Sequence, residues 1–184
     1  MKSSFISIKS DAPLGQSDES VILIQRIADG VSASENFLQL GFAIIKNDSF
    51  IESKLADFQS FKSDFYHCNF SRADFSDSSF NECNFRGCSF EFCELIKISF
   101  YKCNIESVSF TNSRLNRADF LKSNLKSVHF GSGDLTAATF HECDLRGVDF
   151  SSSRLSETKI IDCIFDESLR LTPGIEIKSM KGFN

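Results

Sequence analysis

Residues 66–95 read YHCNF SRADF SDSSF NECNF RGCSF EFCEL, and every fifth residue is large and apolar. The pattern runs without a miss from Phe65 through Phe70, Phe75 and Phe80 to Phe165, which is 21 consecutive positions. Two residues before each stands a small one, as in Ser63, Cys68, Ala73, Ser78 and Cys83, and Ile98 is the bulky exception. Asp or Asn often lies between the two, as at Asp64, Asn69, Asp74 and Asn84. A helix repeats near 3.6 residues and a strand at 2, so a period of five belongs to neither. A unit this short must be one side of a larger coil that stacks on itself.

The blocks CNFSR ADFSD, CNFRG, CNIES, ADFLK, SNLKS and CDLRG resemble the pentapeptide-repeat family, over well more than half of the chain. The resemblance implies an all-β fold, a right-handed quadrilateral parallel β-helix in which four pentapeptides close one square turn. The large central residue and the small residue two places earlier would point inward, and the other three would face solvent.

A 20-residue turn has independent support. From Phe90 to Leu155 the central residue alternates Phe with Leu, once Ile. On a four-sided coil this places Phe70, Phe90, Phe110, Phe130 and Phe150 in one column, with Phe80, Phe100, Phe120 and Phe140 facing it. Rings stacked at the ~4.8 Å strand spacing suit aromatic packing, and such a core leaves no room for a ligand.

The chain has 184 residues, 21 Phe and no Trp, and 14 of the Phe are central residues of the repeat. A net charge of −5 argues against a general nucleic-acid binder. No signal peptide or long apolar run is visible, so the expected setting is the cytoplasm, bacterial by resemblance, with no membrane partner. All seven cysteines (Cys68, Cys83, Cys88, Cys93, Cys103, Cys143 and Cys163) occupy the inward small position, where cysteine serves as a buryable hydrophobe. Cys68 and Cys88, Cys83 and Cys103, and Cys143 and Cys163 should stack in neighbouring coils with side chains parallel, a poor geometry for disulfides. No metal, cofactor or catalytic residue is expected. His67, His129 and His141 fall on different sides or heights, there is no phosphate loop, and a filled solenoid lacks a cleft.

Three parts are expected: an N-terminal cap over residues 1–45, the repeat β-helix over 46–170, and a C-terminal cap or tail over 171–184. Phe5, Ile6 and Ile8 suit a short strand. Residues 21–30 carry helix start and stop signals, although their β-branched run favours a strand; Ser34 to Leu40 suits a second helical turn. Gly41 to Ile45 reads as apolar and fully buried. Phe50 and Leu55 enter the register, but at Phe58 and Ser60 the sizes swap, which predicts a distorted corner with Phe58 filling the space Ser60 leaves. Leu171, Ile175 and Ile177 would cover the last coil.

A 20-residue step also reads the outward columns. Asp74, Glu94, Arg114, Asp134 and Arg154 form a mixed ladder, as do Glu82, Lys102, Lys122, Glu142 and Asp162. Asn81, Tyr101, Leu121, His141 and Ile161 form a third, placing apolar groups where solvent should be, with Phe92 and Ile96 outward near a neighbouring edge. A contiguous apolar column marks an interface, so Tyr101, Leu121, His141, Ile161, Phe92 and Ile96 are the candidate face for a protein partner or a second copy in a homodimer. The leading expectation is a non-enzymatic interaction scaffold with flat faces. The family resemblance supplies the alternative, a DNA mimic that protects DNA gyrase against quinolones or toxins. The chain departs from that pattern in lacking long inserted loops and a C-terminal dimer-forming helix, and in being only mildly acidic.

Overall fold

The computed structural model describes residues 5–7, 39–167 and 175–181. The sides of the coil are short strands, most of three residues with the middle one turned inward and its neighbours outward, or single parallel bridges at the residue before the large apolar one. The first side of successive coils is built from β1 (Phe5–Ser7), β2 (Gln39–Gly41), β4 (Gln59–Phe61), β6 (Ser79–Asn81), β8 (Ser99–Tyr101), β10 (Asp119–Leu121), β11 (Thr139–His141), β12 (Lys159–Ile164) and β13 (Glu176–Lys181). These nine make one parallel sheet in that order. The second side is the four-stranded parallel sheet β3 (Ile44–Lys46), β5 (Asp64–Tyr66), β7 (Asn84–Arg86) and β9 (Asn104–Glu106). The third and fourth sides are held by parallel bridges such as Ser89↔Ser109 and Glu94↔Arg114. The result is the right-handed quadrilateral parallel β-helix, and no helix occurs among the described residues.

Partners from β2 to β12 lie 20 residues apart, as in Phe100↔Phe120↔Phe140. The step differs only at the ends: Ile6 pairs with Leu40, and Ile160 with Ile177. β2 and β3 belong to the same two sheets as the later coils, and Leu40, Ala43 and Ile45 occupy inward positions there. The same register corrects the reading of Gly41 to Ile45 as fully buried. Phe42 and Ile44 fall on outward positions and are 49% and 38% exposed. The short strand at Phe5 is present as β1; the helical reading of residues 21–30 lies outside the described residues, as does most of that of Ser34 to Leu40, whose last two residues, Gln39 and Leu40, belong instead to strand β2. At the other end Ile175 packs against the core, and Leu171 lies outside the described residues.

The two Phe columns stack as the alternation requires. Rings of Phe70 and Phe90, Phe90 and Phe110, and Phe110 and Phe130 have centroids 4.7, 5.2 and 5.5 Å apart and lie within 21° of parallel. Phe100, Phe120 and Phe140 stack at 5.2 and 4.9 Å. Between columns the rings meet edge to face, Phe120 with Phe130 at 5.8 Å and 85°. Each ring thus offers its face along the axis and its edge across it, the two arrangements its quadrupole favours.

The small inward residues have a second task. Ser123 Oγ accepts a hydrogen bond from the Cys103 amide at 3.0 Å and donates to the Phe100 carbonyl at 3.1 Å. Ser78 does the same for the Phe58 amide and the Leu55 carbonyl. The thiols of Cys93, Cys103 and Cys143 donate to the carbonyls of Phe70, Phe80 and Phe120. A small side chain with one donor satisfies backbone groups that a closed core would otherwise orphan. All seven cysteines are buried. Burial pushes the Cys93 thiol up to about 12.

The size swap at Phe58 and Ser60 leaves the backbone regular, so no corner is distorted there. Ser60 pairs in register with Phe80. Phe58 turns its ring into the gap, 5.7 Å from Phe80 and 6.1 Å from Phe75. A void of only about 10 Å³ remains, lined by residues including Leu40, Phe58, Phe65 and Phe80. Corners turn through left-handed residues, from Phe42 (φ 55°) to Asp162 (φ 52°). Non-glycine residues pay roughly 1–2 kcal/mol for that conformation, and the ladder bonds on both sides of each corner offset it, as Lys122 N to His141 O at 2.8 Å illustrates.

Candidate partner face

The first side carries the nine-stranded sheet, the larger of the two sheets among the described residues. Along it the residue after each central Phe forms one column in strict register, Asn81↔Tyr101↔Leu121↔His141↔Ile161. Tyr101, Leu121, His141 and Ile161 are all half-buried, because each is flanked above and below by its neighbours in the column. The adjoining corner supplies a charged border of Glu82, Lys102, Lys122, Glu142 and Asp162. Lys102 Nζ lies 5.2 Å from the centre of the Tyr101 ring, a cation–π contact. Lys122 pairs with Glu142 at 3.7 Å, and His141 Nε2 lies 3.5 Å from Glu142 and 3.9 Å from Asp162.

The structure brings four of the six candidate residues together and separates the other two. Phe92 is the most exposed large apolar side chain among the described residues, at 53%, but it stands at the corner between the third and fourth sides. That corner is diagonally across the coil from the one bordering the Tyr101 column. Ile96 is half-buried on the fourth side. The reason is arithmetic: a shift of five residues moves a side chain to the next face, so neighbours in sequence do not share a surface.

The same column continues downward to residues that the sequence reading left out. Phe61 lies one coil below Asn81 and meets Phe42 edge to face at 5.1 Å. Lys62 Nζ stands 6.0 Å from the Phe42 ring centre. Gly41 lies beneath this pair, where an added Cβ would come within 2.3 Å of the Phe61 ring and displace it. Stepping back by 20 from Tyr101 twice reaches Phe61, so the signal was available.

The remaining sides carry paired polar ladders. On the fourth side Arg114 bonds Glu94, and Arg154 bonds Asp134, each at 3.0 Å. On the second side Asn84 donates to Asp64 at 2.6 Å and Asn124 to Asn104 at 2.8 Å. Burial alone would raise the Asp144 carboxyl, but hydrogen bonds from Arg146 and Lys126 overcome it and hold the group below the usual carboxylate range. Among the described residues no group of His, Cys, Asp and Glu is arranged to hold a metal ion, and no described helix is long and apolar enough to cross a membrane.

A family model described as a pentapeptide repeat region matches residues 43–135 and 83–160. The chain belongs to the pentapeptide-repeat family. Among solved structures it is similar to HetL, a pentapeptide repeat protein involved in heterocyst differentiation regulation from the cyanobacterium Nostoc sp. Strain PCC 7120. That match has a TM-score of 0.54 at 14% identity and covers 86% of this chain and 92% of HetL. It is also similar to full-length QnrB1, a plasmid-mediated fluoroquinolone resistance protein (TM-score 0.46, 13% identity, 78% and 92% covered). A third is Rfr23 from the cyanobacterium Cyanothece 51142 (TM-score 0.45, 13% identity, 72% and 86% covered). At these identities the likeness concerns the pentapeptide-repeat fold. A comparison with curated proteins finds no match.

Proposed function

We propose that this pentapeptide-repeat protein is a non-enzymatic scaffold that recognises another protein through the Tyr101–Leu121–His141–Ile161 face. The observation that carries the reading is the placement of an apolar column on a rigid flat sheet, bordered by charge. An interface core is apolar and its rim polar. Side chains already held by a sheet lose little ordering entropy on contact. The finer alternative, protection of DNA gyrase by imitation of duplex DNA, calls for a continuous acidic track. Here the acids are interleaved with bases in the same ladders, as in Glu94–Arg114 and Lys122–Glu142, which favours protein recognition through the apolar column.

The test is capture from an extract of the source cells by immobilised wild type, Leu121→Glu and Phe92→Glu, with circular dichroism to show that all three are folded. Proteins held by wild type and by Phe92→Glu should be missing with Leu121→Glu. Equal capture by all three would refute the assignment of this face. A supercoiling assay with purified gyrase and a quinolone, with and without the protein, decides the alternative.

A further inference from the structure

We propose that the partner this face fits is a second copy of the same chain, docked antiparallel about a two-fold axis midway between the Leu121 and His141 levels. The inference rests on the reading of that face as an interface and adds its occupant. It follows from the order of charges along the corner that borders the apolar column: Lys102, Lys122, Glu142, Asp162. A two-fold axis lying in the face and perpendicular to the rod reverses this order in the partner. With the axis between the two levels, Lys122 meets Glu142 of the other copy and Lys102 meets its Asp162, twice each by symmetry. The apolar column then closes on itself, Tyr101 over Ile161 and Leu121 over His141.

Other placements fail on physical grounds. Moving the axis half a coil towards the N-terminus sets Lys122 on Lys122, and half a coil the other way sets Glu142 on Glu142. Like charges in contact cost several kcal/mol. An axis along the rod instead lays the apolar column over the opposite row of outward residues. Leu121 would then face Asp119 and Ile161 would face Lys159. Of these placements the antiparallel one between levels 121 and 141 is free of both conflicts, and the outer row agrees, with Asp119 against Thr139 and Ser99 against Lys159.

The pairing must be weak. Four coil levels at ~4.8 Å give a contact well below the ~800 Å² per partner of a standard interface, and Lys122 already has Glu142 of its own chain at 3.7 Å. A reversible dimer with a dissociation constant on the order of 100 μM suits such a patch.

The test uses two full-length variants, Lys122→Glu and Glu142→Lys, examined by sedimentation equilibrium at about 500 μM, a few-fold above the affinity expected. Each alone puts like charges across the axis and should sediment as a monomer. Their equimolar mixture restores both cross-axis pairs and should form a heterodimer at least as well as wild type forms its homodimer. The within-chain pair is broken in both variants, so rescue on mixing cannot come from repaired folding. A wild type that stays monomeric, a mixture that stays monomeric, or variants that still dimerise alone would each overturn the proposal. A monomeric wild type combined with capture that is lost in Leu121→Glu would remove the self-pairing and leave the scaffold reading standing. Unchanged capture would remove the scaffold reading.

Discussion

Replacing Phe120 by Ala tests the stacked core at its centre. The ring is fully buried, lies parallel to Phe100 at 5.2 Å and Phe140 at 4.9 Å, and meets Phe110 and Phe130 edge-on at 6.1 and 5.8 Å. A buried Phe→Ala change costs about 3–5 kcal/mol. The upper end applies here, because the ladder bonds fix the coil spacing and keep the neighbours from collapsing into the hole. Four aromatic contacts, each worth about 0.5–1.5 kcal/mol beyond area, disappear together. A loss of about 5 kcal/mol lowers the melting temperature by roughly 10–20 °C in a chain of this size. Asp119→Ala, one residue away on an exposed outward position, should change stability by less than about 0.5 kcal/mol. Thermal and urea denaturation followed by circular dichroism give both numbers. Equal melting of the two variants would refute the inward and outward assignment and the register built on it.

Three further outcomes follow from particular side chains. Asp48 occupies an inward small position with Oδ2 unpartnered, in the column that higher up holds Val108, Val128 and Val148, and burial raises its carboxyl above the usual value. Its ionisation therefore lowers stability as pH rises from the unfolded value near ~4 through the folded one, so Asp48→Val should stabilise the protein more at pH 7 than at pH 4 in urea titrations. Cys93, pushed up to about 12 by burial, stays protonated in the folded state where the unfolded chain would ionise. Part of the stability is therefore lost between about pH 9 and 12, and Cys93→Ala should flatten that alkaline loss; thiol titration should also find few reactive groups in the native protein and seven after denaturation without reductant. Gly133→Ala would bring a Cβ within 2.8 Å of the Phe130 carbonyl oxygen, part of the backbone, and should cost about 1–3 kcal/mol by overpacking, whereas a variant that melts like wild type would contradict the close approach.

Much of this was legible in the sequence because a period of five leaves few options. The large residues recur at every fifth position, the family resemblance implies which positions turn inward and that four sides close a turn, and the alternation of Phe with Leu agrees with that count. The limits lie where period and geometry part. Left-handed corners could not be read, because Lys102, Lys122 and Glu142 occupy them rather than glycine; ladder hydrogen bonds hold residues there against their local preference. The burial of Phe42 and Ile44 was misjudged because apolar composition was weighed without extending the register below Phe50. Phe92 joins the Tyr101 column in the sequence reading as an outward residue near a neighbouring edge, although the corner it occupies is diagonally across the coil from that column. The Ser60 gap was foreseen in volume but not in backbone, since a ring can turn into a neighbouring column without moving the strand that carries it.

The most direct measurement is a methyl spectrum of the full chain labelled at Leu and Ile, recorded as its concentration rises from about 20 to 500 μM, across the affinity expected for a patch of this size, and again with whatever protein the capture experiment returns. The account predicts that the Leu121 and Ile161 methyls shift or broaden while those of the outward Ile51, Ile96 and Ile164 stay in place. Shifts at Ile51, Ile96 or Ile164 with Leu121 and Ile161 unmoved would contradict it.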